Sequence, residues 1–243
     1  MYQSLVPLSK SAHATLRWTP PRVAIFAANL SFIPIAPGEL VYAIAHMPVG
    51  FLRSGNRITL GVISGLGERN LFIGTDGKWV AGYQPALLRC YPFALQMGQE
   101  GATLMVDIGS VCVSDSAHLP ILTETGGTAP EVERVTTVLT ALARGEAEAQ
   151  GLLAAVAEAG LLAKDLVITK ADGTRHQLQG LSMIDPADLA ALDGDKLQAL
   201  HRAGALSMAY MAAASWPMQT VLAALAKPQP QTDPSLLGPE WFG

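Results

Sequence analysis

The sequence has few cysteines and no clustered histidines, which removes the commonest patterns of metal and redox sites. Cys90 and Cys112 are the two cysteines among 243 residues. They are too few for a disulfide framework, and they lack the spacing of a zinc or redox motif. The five histidines are dispersed and form no i, i+4 pair. We therefore expect no metal and no cofactor, with a metal site assembled from distant histidines as the alternative.

An excess of positive charge is also missing. Lys and Arg total 16 against 20 Asp and Glu, which gives a formal net charge of −4. The basic residues are scattered along the chain, whereas electrostatic binding to nucleic acid or anionic lipid needs clustered Lys and Arg. We expect no nucleic-acid partner. The sparing use of cysteine favours the reducing cytoplasm as the location.

No apolar run is long and uninterrupted enough to indicate a membrane span. Residues 1–10 have neither the basic start nor the apolar stretch of a secretory signal. The window 23–36 is too short for a bilayer of roughly 30 Å. The segment 205–226 is mostly apolar but contains Trp216 and Pro217. We expect no transmembrane segment there, and instead a long helix that is buried in the chain or that packs against another copy, in a homo-oligomer, or against another protein chain.

The first half of the chain reads as short strands separated by proline and glycine. Asp76 and Gly77, placed between apolar residues, predict a hairpin, because its tight turn needs residues that tolerate positive φ. Pro37 and Glu39 favour the start of a short helix at 37–46. The predicted strands are 22–28, 50–53, 57–64, 71–73, 78–82 and 103–114.

The second half reads as helical. Thr128, as N-cap before Pro130, predicts a helix at 128–158 that Gly145 and Gly151 bend or divide. A second hairpin is predicted around Asp172 and Gly173, with arms at 165–170 and 174–183. Further helices are predicted at 186–192, 195–201 and 205–226, followed by an extended or disordered tail at 227–243.

Together these patterns predict an α+β fold. Residues 1–226 are expected to form one domain, with a β-rich section at 1–127 and a helix-rich section at 128–226. The helix-rich section contains the second hairpin.

Motifs for covalent chemistry are absent or weak. The glycine-rich run 64–70 lacks a third glycine and a following Lys-Ser or Lys-Thr, and it leads into a strand, so an ordinary turn explains it. No serine lies in a nucleophile elbow, and neither cysteine has a neighbouring His or Lys in sequence. Acidic pairs such as Glu131 and Glu133 lie near helix starts, where capping explains them.

Aromatic residues are instead concentrated at 79–93. Such rings are most often core residues. The functional interpretation is a groove in which a tyrosine ring supplies contact area and the Arg89 guanidinium grips a carboxylate or a peptide carbonyl. The candidate binding residues are His13, Glu39, Trp79, Tyr83, Arg89 and Tyr91, and no catalytic residue is assigned.

The combined pattern resembles the SapC family of bacterial proteins over roughly residues 3–226. The first part of the resemblance lies in Leu5, Pro7, Leu8, His13, Phe26, Pro34, Glu39, Asn70, Asp76, Gly77, Trp79, Tyr83, Pro85, Arg89, Tyr91 and Phe93. The second part lies in Asp185, Leu189, Leu192, Leu197, Leu200, Gly204, Tyr210 and Ser215. The chain departs from the family pattern at Cys90, where a basic residue is more usual.

The resemblance implies an accessory role and supplies no catalytic residues. The family is named for surface-layer secretion, and its members typically occur beside genes for TonB-dependent receptors, flavin-dependent halogenase-like proteins and cupin-like proteins. The leading hypothesis is a cytoplasmic accessory protein that holds a peptide, a protein or a small nutrient. The alternative is an enzyme or enzyme subunit that works with a halogenase-like or oxygenase partner and uses His13 and Glu39 as a proton-transfer pair.

Overall fold

The computed structural model describes residues 1–98, 101–169 and 173–226. Strands lie mostly in the first half and helices mostly in the second, so the fold class is α+β, as the sequence predicts. Within the described ranges, no helix combines the length and the apolar character needed to cross a membrane. The predicted tail at 227–243 lies outside the described residues.

Within these ranges, twelve short strands form four small antiparallel sheets. The sheets have the strand orders β1-β7-β6, β12-β4-β5-β3, β8-β2-β9 and β10-β11. The strands are β1 (Leu5–Pro7), β2 (Arg17–Trp18), β3 (Phe32–Pro34), β4 (Val49–Ser54), β5 (Arg57–Ile63), β6 (Phe93–Gly98), β7 (Gly101–Asp107), β8 (Val113–Ser114), β9 (Leu119–Pro120), β10 (Leu166–Thr169), β11 (Arg175–Leu178) and β12 (Leu181–Ser182).

The helices of the described ranges include one that is much longer than the others. Two single 3₁₀ turns, Ile25–Ala27 and Pro37–Glu39, precede the helices of the first half. The helices are α1 (Leu40–Ala43), α2 (Ala86–Arg89), α3 (Pro130–Glu158), α4 (Pro186–Ala190), α5 (Gly194–Arg202), α6 (Leu206–Ala214) and α7 (Met218–Leu225).

The β-rich half agrees with the sequence at its longest strands and differs at the short ones. The strands predicted at 50–53 and 57–64 are confirmed as β4 and β5, paired from Val49↔Val62 to Ser54↔Arg57. The strand predicted at 22–28 is wrong, since this segment forms the 3₁₀ turn. The strand predicted at 103–114 is two strands, β7 and β8. β1, β2, β3, β6 and β9 were not predicted.

The first predicted hairpin forms a turn but scarcely any ladder. Gly77 adopts a φ of 75°, and the Lys78 amide donates a 3.1 Å hydrogen bond to the Asp76 carboxylate. The pairing beyond the turn is one isolated bridge between Ile73 and Trp79. The strands predicted at 71–73 and 78–82 are therefore wrong at this length, because the arms pair only through this bridge and two backbone hydrogen bonds. The Gly74 amide donates to the Lys78 carbonyl at 2.8 Å and the Val80 amide to the Phe72 carbonyl at 2.9 Å.

The long helix α3 is continuous. The predicted cap at Thr128 is wrong, because Ala129 occupies the N-cap position without a side-chain hydrogen bond and Pro130 begins the helix. Gly145 and Gly151 do not divide it. A Cβ on Gly145 would lie 3.1 Å from the Ala36 Cβ, so this glycine permits close packing of α3 on the Pro37–Glu39 turn.

The core of the described chain consists of two apolar clusters that α3 joins. The larger cluster holds the β4-β5 sheet and the C-terminal helices, and α3 contributes Leu153 and Val156 to it. The smaller one surrounds Phe93, and α3 contributes Val132 and Leu139. The helix thereby connects the two clusters along its length.

The C-terminal part confirms the second hairpin and corrects the last helix. β10 and β11 pair in antiparallel fashion, although the predicted turn residue Asp172 lies outside the described residues. The predicted helices at 186–192 and 195–201 are present as α4 and α5. The single helix predicted at 205–226 is wrong, because residues 215–217 form a turn between α6 and α7.

A buried serine and a proline account for that break. The Ser215 hydroxyl accepts a 2.9 Å hydrogen bond from the Val49 amide and donates to the Ala212 carbonyl at 2.7 Å. Pro217 lies two positions later and lacks the N–H that a continuous helix would need. The helix α6 packs against α1, α4 and α5 of the same chain, and Met208, Ala209, Ala212 and Ala213 are buried in it. A homo-oligomer through this segment stays a prediction.

Candidate functional site

Glu39 is a buried carboxylate at the junction of α1 and α2. Its side chain accepts hydrogen bonds from the Ala36 amide at 2.9 Å, the Tyr83 hydroxyl at 2.6 Å and the Ala86 amide at 2.8 Å. The residue is only 8% exposed, and a buried charge is tolerated when donors satisfy it. Three donors do so here. Glu39 therefore joins its own turn at 36–39 to the segment 83–86.

The local sequence explains why Glu39 reaches all three donors. Pro37 begins the 3₁₀ turn, and Glu39 occupies its third position, from which an acidic side chain can reach back to the amide that precedes the turn. Ala86 begins α2 directly after Pro85, so its amide has no partner within the helix. One carboxylate thus satisfies amides at the starts of both elements.

Tyr83 connects Glu39 to the surface. Its ring stacks on that of Tyr42, with centroids 5.7 Å apart and an interplanar angle of 21°. Burial, followed by the hydrogen bond to Glu39, raises the pKa of the Tyr83 hydroxyl well above its usual value, against the opposing effect of Arg89. The phenol therefore stays protonated and donates to Glu39 throughout the neutral range.

Arg89 lies at the exposed end of α2. Its guanidinium carbon lies 6.0 Å from the centroid of the Tyr83 ring, at the outer range of a cation–π contact. Within the described ranges, Arg89 forms no ion pair with a carboxylate. The guanidinium instead interacts with the Tyr83 side chain, whose hydroxyl is bonded to Glu39, and the remaining donors of its planar fork suit an external carboxylate.

Tyr42 completes the surface of the site. It is 61% exposed, and its neighbour Val41 is 60% exposed, so α1 presents apolar area to solvent. We call the exposed surface formed by Tyr42, Tyr83 and Arg89 the aromatic patch. The sequence interpretation missed Tyr42, although its position three residues after Glu39 on a predicted helix places both on one face.

Trp79 supports the aromatic patch from within the chain. Its indole Nε1 donates a 2.7 Å hydrogen bond to the Tyr83 carbonyl oxygen, and its ring lies 5.8 Å from that of Phe72. Trp79 is half-buried. These contacts hold the backbone of Tyr83 in place.

Tyr91 lies in the interior and outside the aromatic patch. It is 3% exposed, and its ring stacks on Phe26 with centroids 4.0 Å apart. The Tyr91 hydroxyl donates a 3.1 Å hydrogen bond to the carboxylate of the buried Asp107. Burial raises the pKa of Tyr91 to about 12. These contacts are those of a core residue, the commoner interpretation of clustered rings.

His13 has a local structural role. Its imidazole Nδ1 accepts a 3.0 Å hydrogen bond from the Ser9 amide, in the segment between β1 and β2. No hydrogen bond between described residues joins His13 to Glu39, whose donors are two amides and Tyr83. The structure therefore brings Glu39, Trp79, Tyr83 and Arg89 together, and no hydrogen bond among the described residues joins any of them to His13.

The two cysteines are not poised for nucleophilic chemistry. Cys90 and Cys112 are buried and unpaired. Burial raises the pKa of the Cys90 thiol to about 11 and also raises that of Cys112, which disfavours the reactive thiolate. Among the described residues, no group of three or more His, Cys, Asp and Glu side chains is arranged to hold a metal ion.

Comparison with protein-family models identifies the family of the chain. The SapC family model matches residues 8–220, a range that includes all elements from β2 to α6. No curated protein matches the chain, and no solved structure does. The matched range contains Glu39 and the whole aromatic patch.

Proposed function

Because the chain belongs to the SapC family, we propose that it is an accessory protein that binds its partner at the aromatic patch. The partner feature that fits is a carboxylate beside an apolar or aromatic side chain. A peptide or a protein segment supplies both, and a small carboxylate-bearing nutrient is the smallest form of the same chemistry.

One observation carries this proposal, namely that a guanidinium with no ion pair among the described residues lies beside two stacked and partly exposed rings. Tyrosine and arginine are enriched among residues that dominate binding energy, because they combine large contact area with directed polar groups. Arg89 supplies the charge, while Tyr42 and Tyr83 supply the apolar area. Glu39 and Trp79 hold Tyr83 in place, so little ordering is needed when a partner binds.

The proposal includes a cytoplasmic location and a role in uptake or secretion. The two unpaired cysteines fit a reducing cytoplasm. The expected association of this family with TonB-dependent uptake and surface-layer secretion makes components of those systems the partners to try first. The alternative role as an enzyme subunit has no geometric support of its own, because the suggested pair of His13 and Glu39 makes no mutual contact in the described chain.

Selection from a random peptide library tests the proposal. We expect the wild-type protein to enrich peptides that carry Asp or Glu next to an aromatic or aliphatic residue. Arg89→Gln and Tyr42→Ala should lose this enrichment. The first removes the positive charge that binds the carboxylate, and the second removes the ring that contacts the apolar side chain. Tyr210→Ala removes a similarly exposed tyrosine of α6 and should keep it. Enrichment that is absent, or that survives Arg89→Gln unchanged, would contradict the proposal.

A further inference from the structure

A second feature, a cavity of about 630 Å³, lies between α3, the β6-β7 sheet and the residues that follow β3. This volume falls within the range of about 300–1,000 Å³ that is typical of small-molecule sites. None of the three residues of the aromatic patch lines it. The cavity is therefore a candidate site of its own.

The walls of the cavity are mostly apolar. Of its fifteen lining residues, eleven are aliphatic, one is Tyr2, and three are polar, namely Thr59, Gln96 and Glu146. Ala94 and Met105 are directly paired across β6 and β7, and Ala143 lines the cavity from α3. Small side chains on two opposed elements leave the space, and a flexible methionine lets one wall adapt.

Charged groups lie at one edge of the cavity. Glu146 lines it and forms an ion pair with Arg57, whose side chain is 62% exposed. Thr59 follows Arg57 by two positions on β5, so the two side chains share a face of the strand. Within the described ranges, the Thr59 hydroxyl makes no hydrogen bond to another residue. Arg57 itself does not line the cavity, but through its ion pair with Glu146 its guanidinium lies at this edge beside the Thr59 hydroxyl, and both groups can donate to an oxygen-bearing group.

The composition of the walls selects the kind of occupant. A peptide would bring backbone amides and carbonyls into the cavity, and each one without a partner would cost free energy. Three polar side chains cannot satisfy them. An unbranched hydrocarbon chain has no such groups along its length, and its burial is favourable in proportion to the apolar area removed from water. Its polar group is then needed only at the charged edge.

We propose that this cavity binds an aliphatic chain that carries one oxygen-bearing head group, as in fatty acids and fatty alcohols. The chain lies among Ala94, Met105, Ala143 and their apolar neighbours. The head lies at Arg57 and Thr59. The guanidinium offers five N–H donors, and Glu146 engages it through one nitrogen, Nη2. This site is independent of the aromatic patch and does not rest on the proposed function.

Calorimetric titration with sodium dodecanoate and with dodecanol, both below their aggregation concentrations, tests the proposal. We expect saturable binding of both at one site. Ala143→Phe places a ring in the cavity and should weaken both affinities at least tenfold. Ala141→Phe makes the same change at an exposed position of α3 outside the cavity and should leave both within twofold of wild type. Absence of saturable binding, or equal affinities in the two variants, would overturn the proposal.

Two further variants test the cavity from its other wall and test the position of the head group. Ala94→Phe fills the cavity from the sheet side and should reproduce the loss if Ala143→Phe fails to fold, as judged by circular dichroism. Arg57→Gln should weaken dodecanoate about fivefold or more and dodecanol less than twofold, because only the carboxylate gains from the positive charge. An equal effect on both ligands would overturn the assignment of the head group to Arg57.

Discussion

The Tyr83 hydroxyl donates a 2.6 Å hydrogen bond to the Glu39 carboxylate, across 44 positions of sequence. Glu39 belongs to the turn before α1, and Tyr83 belongs to the loop before α2. The same carboxylate also accepts from the Ala86 amide. The position of a half-buried ring is thus set by a buried carboxylate, and the stability of this region and its binding surface depend on one side chain.

Replacement of Glu39 by alanine should destabilise the protein strongly. The variant leaves the amides of Ala36 and Ala86 and the Tyr83 hydroxyl without their acceptor, and we expect a loss of about 3 kcal/mol in the free energy of unfolding. Denaturant titration measures this loss. Glu68→Ala, at an exposed position without an ion pair among the described residues, should change stability by less than about 0.5 kcal/mol. Equal effects of the two variants would contradict the role of Glu39.

Replacement of Tyr83 by phenylalanine should have a smaller effect. The ring is kept, and Glu39 retains its two amide donors, so we expect a loss of about 1 kcal/mol. Tyr42→Phe is the matched control, because the Tyr42 hydroxyl makes no hydrogen bond within the described ranges. It should be neutral to within about 0.5 kcal/mol. A Tyr83→Phe variant as stable as Tyr42→Phe would show that the hydrogen bond contributes nothing.

Stability should fall in alkaline solution. The Cys90 thiol has a pKa of about 11 in the folded chain, raised from 9.0 by burial. The folded state therefore holds this proton to higher pH than the unfolded state does. This contribution to stability is complete below about pH 9 and is lost as the pH rises through about 11.

Melting temperatures measured at pH 8, 9, 10 and 11 test this dependence. The buried tyrosines with raised pKa values act in the same direction. Cys90→Ala should therefore reduce the alkaline decline without removing it. An identical decline in wild type and variant would show that Cys90 does not contribute.

The two glycines inside α3 should respond differently to alanine. A Cβ on Gly151 meets no atom within 4 Å, so Gly151→Ala should stabilise the protein by about 0.5–1 kcal/mol through helix propensity alone. The Cβ of Gly145→Ala would lie 3.1 Å from that of Ala36, and this close contact should cancel most of the same gain. Thermal melts of both variants measure the difference. Equal stabilisation would show that α3 does not pack closely at Gly145.

Much of the fold follows from local sequence patterns. The β4-β5 pair, α3, α4, α5 and the second hairpin have alternating or helical apolar patterns, and all are present. Strands of two or three residues, such as β2 and β9, were missed. They are too short to show the alternation of apolar and polar residues that marks a strand, and their pairing partners are far away in sequence. The break before α7 was missed because Ser215 bonds to Val49, far away in sequence.

The candidate site was partly predictable from the types of its residues. Residue type identified Glu39, Tyr83 and Arg89 as polar or amphipathic side chains beside apolar ones. The exposure of Tyr42 and the burial of Tyr91 were not predictable, because both are tyrosines in apolar surroundings in the sequence. Their difference arises from tertiary packing, in which Phe26 covers one ring and solvent reaches the other.

A double-mutant cycle between Arg89 and a carboxylate of a selected peptide tests the central claim most directly. The affinity of wild type and Arg89→Gln is measured for the peptide and for its analogue with the acidic residue changed to the amide. We expect the amide change to weaken binding to wild type about tenfold and to leave binding to Arg89→Gln unchanged within twofold. An equal loss in both proteins would contradict carboxylate recognition by the aromatic patch.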